Sequence, residues 1–354
     1  MLGAAGASAW HGEQMEVCRI ESGDEPALIE FAAVWDRAHR TDWPAFGSFG
    51  LHDFRAFAAY TGSVRRFELL ASVEPGGRMT GCTFVDAPLL DNRHSAEVLP
   101  IMVDPDHRRR RAGTALVDHI TRSLRAEGRR VLNCIVDLPL GSGDRHPSVG
   151  FARALGFERT LAGNKRVVSV PLTPERVDEV RAVTAAARDA DRYLTFTFRT
   201  PWPNRYNEDH CELARRMSTD EPAGDSDHEE EVWGAGRIEE SDALLAAQKS
   251  IKLAAVAQHR ASGRLVAFTE LLISPDRPGE AWQMATLVHP EHRGHRLGLA
   301  VKLANLEFLA ASEPSIHRVV TGNASVNEPM IAVNDMLGFE VFSEGAFWQK
   351  TLDR

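Results

Sequence analysis

The residues of this chain with the clearest chemical potential lie near its C-terminus, where arginine and glycine follow an apolar segment. Residues 284–288 are predicted as a buried strand, His289-Pro290 as a turn, and a helix is predicted to open through Arg293–Gly298, the second basic loop. The first N–H groups of a helix have no partner within it, and the helix dipole adds about half a positive charge there. The stretch therefore predicts a site for an anion such as a pyrophosphate, with a plain surface turn as the alternative.

The same pattern occurs earlier in the chain. Pro105 and Pro290 lie 185 positions apart, and the Gly-Phe pairs at 156–157 and 338–339 lie 182 apart. The earlier copy contains the first basic loop, Arg108–Gly113. Because landmarks at a nearly constant offset indicate duplication, two tandem domains are predicted. The predicted segments are a disordered leader (1–14), an N-terminal domain (15–173), a solvated connecting helix (174–191) and a C-terminal domain (192–354).

Hydrophobic patterning predicts the same order of elements in both halves. Each half reads as strands and helices in alternation, which predicts an α/β fold with a twisted mixed sheet flanked by helices. One continuous strand is predicted over 96–103, and short last strands are predicted over 167–170 and 347–350. Residues 220–242 are strongly acidic.

Composition limits the class of protein. The net charge of −9 argues against a nucleic-acid binder and favours cationic small partners. The four cysteines form no C-x-x-C pair, so we expect no metal site, no disulfide framework and a cytoplasmic location. Because no apolar run approaches the ~20 residues that span a bilayer, no membrane partner is expected. The sequence leaves the oligomeric state open.

The two basic loops resemble the pyrophosphate motif [QR]-x-x-G-x-[GA] of the GNAT superfamily of acyl-CoA-dependent N-acetyltransferases. Both copies keep the leading arginine and the last glycine, and both place an arginine, Arg111 or Arg296, where the motif has its middle glycine. The resemblance covers nearly the whole chain as two units, an arrangement similar to that of the mycothiol synthases and related actinobacterial acetyltransferases. It implies that the cofactor is acetyl-CoA.

The resemblance also implies which residues hold the cofactor. An asparagine eleven residues before Gly-Phe belongs to the family pattern, and Asn327 fits it, whereas the first copy has Arg145 there. The C-terminal copy is therefore expected to be catalytic and the N-terminal copy to bind cofactor or to serve as scaffold. The cofactor-binding residues implied are Leu287, Val288, Arg293, Gly294, His295, Arg296, Leu297, Gly298, Leu299, Asn323 and Asn327 in the second copy, and Met102, Val103, Arg108, Arg109, Arg110, Arg111, Ala112, Gly113 and Thr114 in the first.

Three residues of the second copy are candidates for catalysis. An amine of pKa ~10.4 is protonated at neutral pH, so a base is needed. Glu270, a carboxylate within an apolar strand, fits the base that the resemblance implies, and a solvent-facing side chain is the alternative. His289 is a candidate for proton relay or a plain turn residue. Asn334 stands where the family often has a tyrosine that protonates the leaving thiolate, and an amide is no acid.

These observations predict an acetyl-CoA-dependent N-acetyltransferase that acts on the amine of a small molecule. The acidic residues between 220 and 242 would attract a cationic acceptor, although such runs are more often solvated surface. One alternative is an acyl-CoA-binding or sensing protein without turnover. A second is a protein-lysine acetyltransferase, and a nucleic-acid-binding module is a distant third.

Overall fold

The computed structural model describes residues 15–222, 224 and 227–352. The predicted leader, residues 1–14, lies outside this part of the chain. The described residues form two compact units that meet in sequence between Cys134 and Ile135. Unit 1 comprises 15–89, 93–134 and 350–352, and unit 2 comprises 90–92 and 135–349 without the undescribed positions.

Unit 1 is a sheet of strand order β1-β2-β3-β4-β6, with β5 paired to β3. The helices pack their apolar residues on this sheet, and Phe31, Trp35 and Phe54 form an aromatic core with Phe84. The elements are β1 (Glu16–Arg19), α1 (Glu25–Asp42), α2 (Leu51–Ala59), β2 (Arg65–Val73), β3 (Met79–Pro88), β4 (Ser95–Val98), β5 (Met102–Val103), α3 (Ala112–Ala126) and β6 (Val131–Pro139), whose second half belongs to unit 2.

Unit 2 has the strand order β13-β7-β12-β11-β10-β9-β8. Helix α8 packs on β8, β9, β10 and β11 through a continuous apolar face. The elements are α4 (Pro147–Ala154), β7 (Glu158–Ser169), α5 (Pro174–Ala185), β8 (Tyr193–Arg199), α6 (Asn207–Asp220), α7 (Ala235–Ala247), β9 (Ile251–His259), β10 (Leu265–Ile273), β11 (Glu280–Val288), α8 (Leu297–Ser312), β12 (Arg318–Ala324), α9 (Glu328–Met336) and β13 (Glu340–Thr351).

The compact units differ from the predicted domain boundaries. Strand β7, placed in the N-terminal domain by the sequence, lies between β12 and β13 and pairs antiparallel with both. Because these ladders run along most of β7, residues 135–173 belong to unit 2. The short last strands predicted for both copies are also wrong, since β7 and β13 each extend over 12 residues.

Three further local predictions need correction. The predicted strand 96–103 is divided into β4 and β5, because Pro100 interrupts it. The connecting helix ends at Ala185 and is not merely solvated, because Val180 is fully buried in the core of unit 2. The acidic segment includes the first part of α7, and its residues 223, 225 and 226 lie outside the described part. None of the described helices is both long and apolar enough to cross a membrane.

Candidate functional site

The two basic loops share one backbone conformation. Arg109 and Arg111 have φ of 64° and 72°, and their counterparts Gly294 and Arg296 have φ of 84° and 57°. A left-handed conformation at a non-glycine residue is unfavourable by about 1–3 kcal/mol and is concentrated at functional sites. Arginine is left-handed in both copies at the position of the motif's middle glycine, and α3 and α8 open directly after it.

The arginines of the two loops fall into two groups. Arg108 and Arg293 each bind the last residue of a preceding helix, Asp42 and Asp220 respectively. These guanidinium groups attach the loops to α1 and α6, so the structure does not leave them free for a phosphate. The remaining arginines are exposed, and Arg109, Arg111 and Arg296 form no hydrogen bond or ion pair with the described part of the chain. Arg110 lies 4.0 Å from Glu74.

Most of the other predicted cofactor-binding residues of the loops would contact a phosphate through their main-chain N–H groups. Five of them are buried or partly buried: Ala112, Gly113, Leu297 and Leu299 are buried, and Gly298 is partly buried beside Val288. His295 Nδ1 lies 2.7 Å from the carbonyl oxygen of Arg188. Met102 is buried, and Val103 and Thr114 are partly buried. The loops thus present backbone N–H groups at a helix start, which is the donor set that suits a phosphate.

In each copy a strand that precedes the loop pairs in parallel, over three residues only, with the strand that follows the loop and its helix. β11 pairs with β12 only from Glu280 to Trp282, and β4 pairs with β6 only from Ser95 to Glu97. The His289 N–H donates to the Val266 carbonyl on β10 at 2.8 Å. Because alternate N–H groups of a strand face the same edge, the Leu287 N–H also faces β10 and the Val288 N–H faces the diverging edge. Of these two predicted cofactor-binding residues, Val288 is therefore the one whose N–H faces the diverging edge.

A bulge in β11 lies beside this divergence. Thr269 pairs with Thr286 and Leu271 with Gln283, so two residues of β11 stand opposite one residue of β10. The buried Gln283 amide donates to Thr269 Oγ1 at 2.8 Å and to the Glu270 carbonyl at 2.9 Å. These bonds fix the bulge where the two parallel strands separate.

Glu270 is buried within β10, so the solvent-facing alternative is wrong. Trp202 Nε1 donates to one carboxylate oxygen at 2.9 Å, and Lys252 Nζ lies 3.0 Å from the other. Burial alone would raise the pKa of Glu270, but Lys252, His210 and the Trp202 hydrogen bond outweigh it, and the pKa lies below its usual value. The carboxylate is ionised at neutral pH, as a base must be, but it is weakly basic. Its role as base stays a prediction.

His289 lies among other histidines at the start of the second basic loop. Its Nδ1 accepts from the Glu291 N–H at 3.4 Å, which is a turn-capping contact. The ring of His292 lies near those of His289 and His259, and its Nδ1 lies 3.0 Å from the Tyr193 hydroxyl. Burial, followed by the neighbouring histidines, lowers the pKa of His292. Ligand atoms of His289, Glu291 and His292 lie within 4.8 Å of one another. The geometry fits the turn-residue alternative for His289, and its relay role is untested.

The two motif asparagines have different surroundings. Asn327 caps α9, because its Oδ1 accepts from the Met330 N–H at 3.3 Å. Asn334 is fully buried, accepts from Lys302 Nζ at 2.6 Å and donates to Asn323 Oδ1 at 2.6 Å. Asn327 is therefore occupied as a helix cap, whereas Asn334 and Asn323 belong to a polar chain that sequence reasoning did not foresee.

Sequence reasoning also missed a carboxyl group in unit 1. Glu97 is the last residue of β4 that pairs with β6, directly before the strands diverge. Burial, with a smaller contribution from Asp86, raises the pKa of Glu97 to about 7, and Arg65 opposes the shift. A carboxyl that titrates near neutral pH is suited to general acid–base work. The signal in the sequence was the same as for Glu270, a lone acid between apolar strand residues.

The comparisons with known proteins agree with this geometry. Residues 35–157 match the Acetyltransferase (GNAT) family. A tandem GNAT protein from the clavulanic acid biosynthesis pathway is 26% identical, with 96% of this chain and 99% of that chain covered and a TM-score of 0.77. A GCN5-related N-acetyltransferase from Sphaerobacter thermophilus is 12% identical, with 98% of each chain covered and a TM-score of 0.63, and supports the fold alone. None of the curated proteins matches significantly.

The protein is an acyltransferase whose residues 35–157 match the GNAT family and whose whole length is similar to a tandem GNAT protein. Within that class its architecture is that of a tandem GNAT protein, as the sequence predicted. The family match falls on the first copy, so the first copy is no less typical of the family than the second.

Proposed function

We propose that this protein transfers an acetyl group from acetyl-CoA to the amine of a small molecule and that the second copy carries the reaction. The observation that supports the proposal most strongly is the shared left-handed conformation of the two basic loops, with free arginines beside helix starts. When bound, acetyl-CoA supplies an activated acyl group. Arg296 and the N–H groups that open α8 would hold its phosphates, and the Val288 N–H faces the divergence of β11 and β12.

In the second copy, separate residues serve as the base and attract the acceptor amine. Glu270 is ionised and enclosed by Trp202 and Lys252, and it is the base that the sequence predicts. The acidic segment contains exposed carboxylates that favour a cationic amine. The similar clavulanic acid pathway protein belongs to small-molecule biosynthesis, which supports a small acceptor over a protein lysine.

A second candidate places the reaction in the first copy. The observation that favours it is Glu97, whose pKa of about 7 suits a general base better than the lowered pKa of Glu270. Glu97 also lies directly at the divergence of β4 and β6. The cofactor and the reaction are the same as in the first candidate, and only the location differs.

The two locations can be separated with a matched pair of variants. Arg296→Glu and Arg111→Glu reverse exposed charges at corresponding left-handed positions, and Arg122→Glu on the exposed side of α3 serves as control. Loss of a charged hydrogen bond of about 1.5–3 kcal/mol corresponds to roughly 10–100-fold weaker binding. If the second copy reacts, Arg296→Glu raises KM for acetyl-CoA by that factor with a cationic amine, and the other two variants do not. The opposite pattern moves the reaction to the first copy, and no thiol release with any amine contradicts the function.

A further inference from the structure

Helix α8 contains a buried lysine that the proposed reaction does not use. Lys302 is 1% exposed, its Nζ donates to Asn334 Oδ1 at 2.6 Å, and it lies 4.9 Å from the centre of the Phe339 ring. No carboxylate pairs with it among the described residues. Because burial of an ammonium without a counter-ion is unfavourable, packing alone does not explain a lysine here.

The first copy shows that the fold does not require this polar group. The offset of 185 positions relates Lys302 to a buried apolar residue of the first copy, and the offset of 182 does the same for Asn334. When the parallel pairs β11–β12 and β4–β6 are aligned, Asn323 corresponds to a valine. The three pairs of counterparts are Lys302 and Val117, Asn334 and Ala152, and Asn323 and Val136. A polar chain thus occupies three positions that are apolar in the duplicate.

Lys302 determines the direction of the hydrogen bonds in this polar chain, which runs from Lys302 through Asn334 to Asn323. An ammonium has donors only, so Asn334 must turn its oxygen toward Lys302 and its NH₂ group away. That NH₂ group donates to Asn323 Oδ1, so the Asn323 oxygen is also committed. The Asn323 NH₂ group forms no hydrogen bond with described residues, and Asn323 is partly exposed beyond Val320, the last residue of β12 that pairs with β11. The chain therefore ends in free N–H donors on the diverging part of β12.

We propose that Lys302 is a positioning residue for the acyl transfer of the second copy, because its ammonium fixes Asn334 and Asn323 so that a donor faces the divergence of β11 and β12. The inference rests on the proposed function and on its location in the second copy. The donor would meet an oxygen or sulfur acceptor of the acyl-carrying cofactor. Asn334 stands where the family pattern has its tyrosine, so the chain supplies polarity there without an acidic hydroxyl.

Protonation of Lys302 controls this arrangement. Burial lowers the pKa of Lys302 to about 7, and no charged group contributes to the shift. An ion pair on α9 joins Asp335 to Arg166 of β7, and Arg166 also donates to the Phe339 carbonyl. Above this pKa the neutral amine can accept as well as donate, and the direction of the chain is no longer imposed.

The first test needs no cofactor. Urea unfolding of the full chain at pH 6 and pH 9 is compared for the wild type, Lys302→Met and Leu306→Met, a buried control on the same helix. Because the unfolded lysine keeps its proton up to pH ~10 and the folded one loses it near 7, this residue makes stability rise with pH in that window. Lys302→Met is expected to gain stability at pH 6 and less at pH 9, while the difference for Leu306→Met stays constant with pH. A Lys302→Met protein less stable at both pH values overturns the inference.

The second test measures turnover. Lys302→Met and Asn334→Ala are each expected to lower kcat at pH 6.5 by tenfold or more with KM for acetyl-CoA changed less than twofold. The double variant is expected to lose no more than either single one, because both residues act through one chain. The effect of Lys302→Met should shrink above pH 7.5. If the wild type turns over and Lys302→Met has the same kcat, this inference alone is overturned. If the wild type shows no turnover, the proposed function is overturned as well.

Discussion

Glu270 on β10 and Glu97 on β4 have opposite electrostatic environments. Glu270 has Lys252 at 3.0 Å and an indole N–H, and these outweigh its burial. Glu97 has Asp86 nearby and only a weaker opposing effect of Arg65, so burial prevails. The strand pattern predicts a buried acid at both positions, but partners from distant sequence determine whether that acid is charged.

The raised pKa of Glu97 predicts a pH-dependent stability. Between pH about 4.5 and about 7 the folded carboxyl keeps a proton that the unfolded one has lost, so stability present at low pH is lost as the pH rises. Urea unfolding should show Glu97→Gln gaining on the order of 2 kcal/mol relative to the wild type between pH 4 and pH 8. An equal difference between the two proteins at both pH values would contradict the environment described for Glu97.

The ion pair of Glu270 predicts an asymmetric response to mutation. Lys252→Met leaves the buried carboxylate without its counter-ion, although the Trp202 N–H still donates to it, and should cost about 3 kcal/mol of unfolding free energy at pH 7. The double variant Lys252→Met/Glu270→Gln removes the uncompensated charge and should recover most of this loss. Denaturant unfolding at pH 7 measures both, and a double variant as unstable as Lys252→Met would show that the packing of Lys252 matters more than its charge.

At the scale of elements, the sequence predicted what local patterns encode. The apolar runs on the two sides of the Ser262-Gly263 turn predict a hairpin of strands over 251–259 and 265–273, and β9 and β10 have these bounds. The basic loops were predicted from a motif to open a helix, and α3 and α8 begin within them. The lengths of β7 and β13 could not be predicted, because polar residues such as Asn164 and Lys165 become strand only through pairing with distant partners. The Lys302 chain was missed for the same reason, since its members come from three separate elements.

Helix α5 offers a prediction at the element scale. Its amphipathic pattern is weak, yet Val180 is fully buried against the core that contains Leu303 and Leu306. Val180→Ala removes two buried methyl groups and leaves a cavity, so it should lower the unfolding free energy by about 2 kcal/mol. Val326→Ala, at a position that is 63% exposed, is the control and should change stability by less than about 0.5 kcal/mol. A negligible effect at Val180 would restore the solvated helix that the sequence predicted.

At the scale of the whole molecule, duplication has preserved the two basic loops and changed the interiors behind them. The loops keep the same left-handed positions and the same anchoring of the first arginine to a preceding helix. The interiors differ, because the second copy has Lys302 and Asn334 where the first has apolar residues. The left-handed arginine that both copies retain, Arg111 and Arg296, leads us to expect that both loops bind an anion.

Two molecules of coenzyme A per chain should therefore appear in mass spectrometry under non-denaturing conditions. Each loop contributes its own helix start and its own free arginine, so the two sites need no shared residue. Arg111→Glu and Arg296→Glu should each reduce the count to one, and the double variant should reduce it to none, while Arg122→Glu keeps two. A wild-type count of one that only Arg296→Glu abolishes would mean that the strained conformation of the first loop persists without a ligand, and that the first copy serves the second as scaffold.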